Sequence, residues 1–271
     1  MEALSTSMGR NGVVVKVGEL AVNLETSDIE YCRKLRNHYH GFVDVAERAE
    51  FSFRIELTDS RINDPDAEVR VRRRSAHWSL TRGDFQAEWN IESNRGTIWQ
   101  SANLYSLDAA LRIFHTVVLA TRDGFLLHAA SAIRNGKAFL FMGPSGAGKT
   151  TIASLRPSDA TLLTDEVSYV RKQGQGFAAF GTPFAGELAK SGENVSAPIA
   201  GLHLLAQGPA NRVTPLGASD AVRAVLANML FFAEDPELVR SVFQSACQLV
   251  SCVPVYRLTF VPDFRVWESI G

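Results

Sequence analysis

The sequence predicts a mixed α/β (α+β) protein in which a mainly antiparallel β part precedes an α/β unit. Short alternating apolar runs separated by Gly and Asn turns occupy most of residues 13–103, which is typical of a β meander. From Leu107 onward, helical periodicity alternates with short apolar runs. A Gly-rich loop at 143–150 lies between a short apolar run and a helical one, the usual setting of a phosphate-binding loop.

The N-terminal part begins with two predicted strands, at 13–17 and 20–24, followed by a helix that Ser27 is expected to cap. A half-buried strand is expected at Phe51–Leu57, where apolar and polar residues alternate, and a polar loop at 58–68. Four more strands are expected at 69–71, 76–80, 85–91 and 96–99.

The second part begins with a helix that Ser106 is expected to cap. Asn135-Gly136 is a type I′ turn signal, so a hairpin is expected to lead into the Gly-rich loop, where a doubly wound protein would have a helical crossover. Pro157 limits the helix after the loop to about two turns. Later elements are expected as strands at 161–163, 166–170, 177–180, 199–205 and 255–260, and as helices at 219–232 and 236–250. The expected division is a flexible tail at 1–12, a β-rich domain at 13–103 and a catalytic domain at 104–271.

The composition is that of a globular protein of the cytoplasm. Hydrophobic residues make up 46% and charged residues 21%, which excludes disordered and fibrous classes. The net charge of −1 favours neither nucleic acid nor an anionic membrane. Three scattered cysteines form no disulfide framework, and no stretch has the ~18 apolar residues of a membrane span. We therefore expect a cytoplasmic protein with no nucleic-acid or membrane partner.

Residues 143–150 read GPSGAGKT and match the Walker A pattern GxxxxGK[ST] in full. Glycines let successive N–H groups point at the phosphates of a nucleotide, Lys149 adds positive charge, and the Thr150 hydroxyl can ligate Mg²⁺. The predicted nucleotide-binding residues are Gly143, Pro144, Ser145, Gly146, Ala147, Gly148, Lys149, Thr150 and Thr151.

Two acidic residues and one histidine complete the predicted catalytic set. Asp165 and Glu166 follow an apolar run, 16 positions after Lys149, where P-loop proteins carry an acidic group near Mg²⁺. Neighbouring side chains of a strand point to opposite sides, so one carboxylate is expected to meet the metal or the nucleophile and the other to be structural. The predicted metal ligands are thus Thr150, Asp165 and Glu166. His128 lies on the hairpin partner of the P-loop strand, and a buried core histidine is its alternative interpretation.

The order of His128, GPSGAGKT and Asp165-Glu166 resembles the catalytic domain of HPr kinase/phosphorylase, a fold related to the nucleotide part of phosphoenolpyruvate carboxykinase. The chain is most similar to HPr-kinase-like bacterial proteins encoded near peptide-modification genes, through the runs LLHAA, GPSGAGKTT, LLTDE and GTPFAGE. The resemblance covers about residues 124–260. It implies that Lys149 binds phosphate, that Thr150 binds metal, that one acid of the pair is the general base with His128 in support, and that the protein forms a homo-oligomer.

The chain departs from HPr kinase proper after the acidic pair. A Gly/Ile-rich signature is replaced there by GTPFAGE at 181–187, which argues against HPr as the acceptor and against the reverse reaction. Glu187 and Lys190 are candidates for acceptor binding, and a plain turn is the alternative.

We therefore expect a P-loop kinase that uses ATP and Mg²⁺ and transfers the γ-phosphoryl group to a Ser or Thr hydroxyl of a peptide or protein. The hydroxyl of a small metabolite is an equally physical acceptor. One alternative is a nucleotide-binding regulatory or scaffold module of a peptide-maturation system with little turnover. Another is an ATPase or GTPase switch, although no NKxD guanine signature is present.

Overall fold

The computed structural model describes residues 11–45, 48–59 and 64–270 and shows a mixed α/β protein with two sheets. The chain divides into two compact units between Leu111 and Arg112. Of the tail expected at 1–12, residues 1–10 lie outside the described residues, and Asn11 and Gly12 begin the first strand.

The first unit is built on a seven-stranded sheet. Its strands are β1 (Asn11–Val17), β2 (Leu20–Thr26), β3 (Phe51–Leu57), β4 (Arg70–Arg74), β5 (His77–Arg82), β6 (Phe85–Asn90) and β7 (Arg95–Gln100). Their order is β1-β2-β3-β7-β6-β5-β4. β3 runs parallel to both β2 and β7, and the other neighbours are antiparallel, as a meander from β4 to β7 requires.

Both helices of this part of the chain begin at caps other than the expected ones. Helix α1 (Ile29–His38) is capped by Asp28 in place of Ser27, because the Asp28 carboxylate accepts the N–H of Tyr31 at 2.9 Å. Helix α2 (Leu104–Ala120) begins two residues before the expected cap, Ser106. Asn103 accepts the N–H of Tyr105 at 3.0 Å and so supplies the cap, while Ser106 is buried in the first turn.

The second unit contains a nine-stranded sheet and three further helices. Its strands are β8 (Gly124–Arg134), β9 (Lys137–Met142), β10 (Thr161–Thr164), β11 (Val167–Gln173), β12 (Gly176–Phe180), β13 (Ser196–Gln207), β14 (Arg212–Pro215), β15 (Met229–Leu230) and β16 (Val255–Phe260). The helices are α3 (Lys149–Ser154), α4 (Ala218–Ala227) and α5 (Pro236–Cys252).

Strand β8 changes partners halfway along its length. Its first half pairs with β11, ending with His128 opposite Val167. Its second half pairs with β9, beginning with Ala129 opposite Met142. The end of β9 and the start of β11 therefore meet β8 at adjacent residues. We call this point the β8 fork, and it brings residues 143 onward and 165–166 towards His128.

The hairpin expected before the Gly-rich loop is confirmed. β8 and β9 are antiparallel, and Asn135 and Gly136 have φ of 51° and 71°, as a type I′ turn requires. α3 ends at Ser154, before Pro157, as expected. The helix expected at 219–232 is shorter, because the chain leaves α4 at Ala227 and forms β15, in which Met229 pairs with Leu127 of β8.

Two apolar clusters fill the second unit. Leu140 and Met142 of β9 belong to one cluster, and Phe139 and Phe141 belong to the other. Both faces of β9 are thus buried, which explains its uninterrupted apolar sequence. Within the described ranges, no helix combines the length and apolar character that a membrane crossing requires.

Candidate active site

The Gly-rich loop has a backbone that only glycine adopts easily at two of its positions. Gly146 and Gly148 have φ of 77° and 104°, in the left-handed region. A Cβ atom at Gly148 would lie 2.6 Å from Cζ of Phe260, so this glycine is also required by space. Pro144, Ser145 and Gly146 are exposed, and Ala147 and Lys149 are buried. Thr150 and Thr151, both partly exposed, continue directly into α3.

Lys149 is held at the base of the loop. Its side chain donates hydrogen bonds to the carbonyl oxygens of Gly143 and Pro144 at 2.9 and 3.3 Å, and the residue is 8% exposed. Burial lowers the pKa of its amino group, against the opposing effect of Glu166 and Glu187. These two carboxylates are thus the charges that act on the lysine.

His128 lies at the β8 fork, beside one carboxylate of the acidic pair. Its Nε2 is 3.6 Å from Oε1 of Glu166, and its backbone N–H donates to the carbonyl oxygen of Asn228 at 2.7 Å. Burial lowers the pKa of His128, Lys149 and Arg112 lower it further, and Glu166 opposes them. The imidazole is therefore neutral at neutral pH and faces the Glu166 carboxylate from just beyond hydrogen-bond distance.

Asp165 and Glu166 lie in the bend between β10 and β11, and their side chains point to different neighbours. The Asp165 carboxylate is buried and accepts the N–H groups of Gly186 and Leu188, both at 2.8 Å. Both of its oxygens are therefore occupied by the backbone. Thr164 accepts the N–H groups of Glu166 and Val167 at 3.1 Å and so fixes the bend. Glu166, partly exposed, is left facing His128 and Lys149.

Several contacts fix the conformation of segment 181–188, which we call the GTPFAGEL loop. Thr182 donates its hydroxyl hydrogen to the carbonyl oxygen of Val167 at 2.9 Å. Phe184 is buried against His115 of α2, with ring centroids 6.1 Å apart. Together with the two bonds to Asp165, these contacts aim Glu187 at the P-loop, where its Oε2 accepts a hydrogen bond from the Thr150 hydroxyl at 3.1 Å.

Lys190 lies apart from this group. It lines a cavity with Arg156, Thr161 and Glu193, which is separate from the cavity beside Pro144. The structure thus brings together His128, Lys149, Thr150, Glu166 and Glu187, with Asp165 behind them, and it places Lys190 elsewhere.

Two residues that sequence patterns did not single out also belong to the site. Asn228 accepts the N–H of Gly143 at 3.0 Å and donates to the carbonyl oxygen of Ala224 at 2.8 Å, so it ties the P-loop to α4. It also lines a cavity of about 460 Å³ beside Pro144. Arg112 of α2 lies with its guanidinium 5.2 Å from the centre of the Phe184 ring. No sequence signal points to either residue, and Asn228 lies inside the helix that was expected at 219–232.

Comparison with known proteins gives a family and a number of solved structures. One of these structures is that of the Hpr(Ser) kinase/phosphatase from Coxiella burnetii, with 12% sequence identity and a TM-score of 0.25, covering 46% of this chain and 88% of that one. Values this low give no support to a shared activity. A search of curated proteins finds no match. The model of the SynChlorMet cassette protein ScmC family matches residues 99–271, well over half of the chain, and the chain therefore belongs to that family.

Proposed function

We propose that this protein is a P-loop kinase, an ATP-dependent phosphotransferase that moves a γ-phosphoryl group to the hydroxyl of a peptide, a protein or a small metabolite. The observation that carries the proposal is the convergence at the β8 fork. There the loop that carries the buried Lys149 follows β9, Glu166 directly precedes β11, and His128 lies on β8, which pairs with both strands. A phosphate-binding cation and a candidate proton acceptor beside it are the two groups that such a transfer needs.

The nucleotide phosphates would be held by the P-loop. Its backbone, with glycines that no side chain could replace without strain, is suited to present N–H groups to phosphate oxygens. Lys149 would leave its carbonyl partners for the phosphates, because a charge-assisted bond to phosphate is stronger than one to a carbonyl. The cavity beside Pro144 has an apolar wall formed by Leu204, Leu216 and Ala224, which suits a nucleobase.

The donor set beside the phosphates fits Mg²⁺. Thr150 and Glu187 present hard oxygen atoms 3.1 Å apart, and Glu166 is close to both Lys149 and the GTPFAGEL loop. Among the described residues, no three His, Cys, Asp or Glu side chains form a complete metal cage. That arrangement suits Mg²⁺, which usually takes one or two carboxylates together with phosphates and waters. Bound Mg²⁺ supplies neutralisation of phosphate charge.

We assign the general base to Glu166 and a supporting role to Asp165. The acceptor oxygen forms a bond to the γ-phosphorus, the bond from that phosphorus to the oxygen of the departing ADP breaks, and the hydroxyl proton passes to the Glu166 carboxylate. Neutral His128 orients that carboxylate from 3.6 Å. Asp165 has both oxygens bonded to backbone N–H groups, so it would hold the GTPFAGEL loop in place instead of taking a proton.

The proposal is tested by label transfer from γ-labelled ATP in the presence of Mg²⁺. The acceptor probes are free L-serine, N-acetyl-L-serine and a mixed library of Ser- and Thr-containing peptides, with release of labelled phosphate to water also followed. Wild type is compared with Lys149→Ala, Glu166→Gln and the control Lys137→Ala, an exposed lysine at the start of β9. We expect transfer in wild type and the control, and its loss in the other two variants.

Nucleotide binding without phosphoryl transfer would identify a regulatory nucleotide-binding module. ATP bound by wild type, without transfer of label to any probe or to water, would contradict the proposal. Transfer that persists in Glu166→Gln but is lost in Asp165→Asn, under conditions where the latter variant is folded, would reverse the assignment of the base.

A further inference from the structure

Arg112 has a buried side-chain nitrogen, and no carboxylate of the described residues pairs with its guanidinium. Its Nε is buried and has no hydrogen-bond partner in the part of the chain that the structure describes, and no ion pair to the residue is found there. A guanidinium is always charged and is seldom removed from water without a carboxylate or phosphate beside it. An unpaired, partly buried arginine next to a candidate active site therefore indicates an anion that comes from a ligand.

The packing around Arg112 fixes its position. The guanidinium lies 5.2 Å from the centre of the Phe184 ring, within the range of a cation–π contact. His115, one turn further along α2, packs against the same ring. Burial lowers the pKa of His115 to about 3, and the charge of Arg122 lowers it as well, so this histidine is neutral and adds no positive charge beside the ring. The arginine is thus preorganised by the loop that also carries Glu187.

The contacts of the GTPFAGEL loop bring Arg112 near the acidic pair. Its guanidinium lies over Phe184, and Asp165, the neighbour of Glu166, accepts the N–H groups of Gly186 and Leu188 in the same loop. The charge of Arg112 also acts on His128. The arginine is thus on the side of the site where the proposed base faces His128.

We infer that Arg112 binds an anionic group of the phosphoryl acceptor, so that the acceptor carries a carboxylate or phosphate near the hydroxyl that reacts. The assignment of the anion to a phosphoryl acceptor rests on the proposed function. The presence of an anion site at Arg112 does not depend on it. The planar guanidinium can donate two parallel N–H hydrogen bonds, and both carboxylate and phosphate groups can accept such a pair.

A binding experiment tests the anion site without relying on catalysis. With the P-loop saturated by the Mg²⁺ complex of a non-hydrolysable ATP analogue, inorganic phosphate and acetate are titrated separately by calorimetry. Wild type is compared with Arg112→Gln and with Arg240→Gln, an exposed arginine of α5. We expect wild type and Arg240→Gln to bind at least one of the two anions. Arg112→Gln should bind it about tenfold or more weakly, with an unchanged melting temperature. The stronger of the two probes tells phosphate from carboxylate.

Two results would overturn the inference. One is equal anion binding, or none, in wild type and Arg112→Gln. The other is a loss of affinity for the ATP analogue in Arg112→Gln with unchanged affinity for ADP. That result would mean that Arg112 contacts the γ-phosphoryl group.

A transfer experiment separates this inference from the proposed function. N-acetyl-L-serine and N-acetyl-L-serinamide differ only in the carboxylate, and glycerol 3-phosphate and glycerol differ in the phosphate. We expect wild type to prefer the charged member of one pair and Arg112→Gln to lose that preference. Anion binding at Arg112 without transfer to any probe would leave the anion site standing and count against the kinase.

Discussion

The hydroxyl of Thr150 donates a hydrogen bond to the carboxylate of Glu187 at 3.1 Å, which joins the end of the P-loop to a segment 37 positions away in the chain. Thr150 alone is an ordinary part of a Walker A pattern. Its contact with Glu187 places a carboxylate of the GTPFAGEL loop beside the P-loop, and that loop is itself held by Asp165 and Phe184. The relationship makes the role of each of these residues testable.

Replacing Glu187 with Gln should weaken the dependence of ATP binding on Mg²⁺. The amide keeps the size of the side chain but removes the negative charge, so we expect ATP affinity in Mg²⁺ to fall about tenfold and affinity without Mg²⁺ to change little. Calorimetric titration with ATP measures both. Glu193→Gln, an exposed glutamate beyond the loop, is the control and should bind as wild type does. Equal loss with and without Mg²⁺ would argue against Glu187 as a metal ligand.

Replacing Glu166 with Gln should remove catalysis and leave the fold intact. Glu166 is partly exposed and its carboxylate contacts the His128 ring at 3.6 Å, so the isosteric amide costs little in packing. We expect the rate of phosphoryl transfer to fall by about 10² or more, as for loss of a general base, with the melting temperature unchanged. A rate within a few-fold of wild type would exclude Glu166 as the base.

Replacing Asp165 with Asn should instead destabilise the protein. The two carboxylate oxygens accept the N–H groups of Gly186 and Leu188 while buried, and an amide can accept only one of these bonds. The orphaned N–H and the misplaced NH₂ group should lower the free energy of unfolding by about 1–3 kcal/mol. Urea unfolding measures this change, with Asp159→Asn, an exposed carboxylate near Arg134, as the control. A stability equal to wild type would show that the loop is not held by Asp165.

Replacing Gly148 with Ala should abolish nucleotide binding. At φ of 104° an alanine is strained, and its Cβ would lie 2.6 Å from the Phe260 ring, so the loop must shift. Gly217→Ala is the matched control, because Gly217 has φ of −66° and no atom within 4 Å of an added Cβ. We expect ATP binding to be undetectable in the first variant and unchanged in the second. Normal ATP affinity in Gly148→Ala would contradict the role given to the loop geometry.

The stability of the protein should fall in mild acid because of a buried histidine. His203 stacks between Phe141 and Tyr256 on neighbouring strands, and burial lowers its pKa to about 4. Between pH 6.5 and about 4 the unfolded chain binds a proton at this residue and the folded protein does not. Protonation therefore favours unfolding, by about 1.4 kcal/mol for each pH unit of descent.

Replacing His203 with Phe should make this pH dependence shallower by about that amount, since the ring stack is kept and the titrating group is lost. Urea unfolding at several pH values measures the slope. His40→Gln, which changes an exposed histidine, should keep the slope of wild type. An unchanged slope in His203→Phe would mean that the residue is already protonated in the folded state.

Local sequence patterns were enough to predict the elements around the P-loop. The hairpin signal at Asn135-Gly136, the apolar run before Gly143 and the stop at Pro157 all act within a few residues, and the structure confirms them. Caps were harder to predict, because several polar residues compete within one turn. Asp28 and Asn103 supply the caps in place of Ser27 and Ser106.

The contacts that complete the candidate site could not be predicted in this way. β15 ends the helix after Ala227 because β8 offers it a partner, and that pairing joins residues about 100 positions apart. Asn228 reaches Gly143 only as a consequence. Arg112 has no motif around it, and it becomes notable only because α2 places it over Phe184.

The sequence by itself determined which chemical groups are available: a Walker A pattern with its lysine and threonine, an acidic pair and a histidine on the neighbouring strand. The local elements that carry these groups could be predicted because their backbone geometry depends on residues close by in the chain. Only the tertiary structure decided which carboxylate faces His128, which one holds a loop, and that Glu187 and Arg112 join the group. These choices depend on the point at which β8 changes partners, and strand pairing between distant segments is set by the packing of the whole unit.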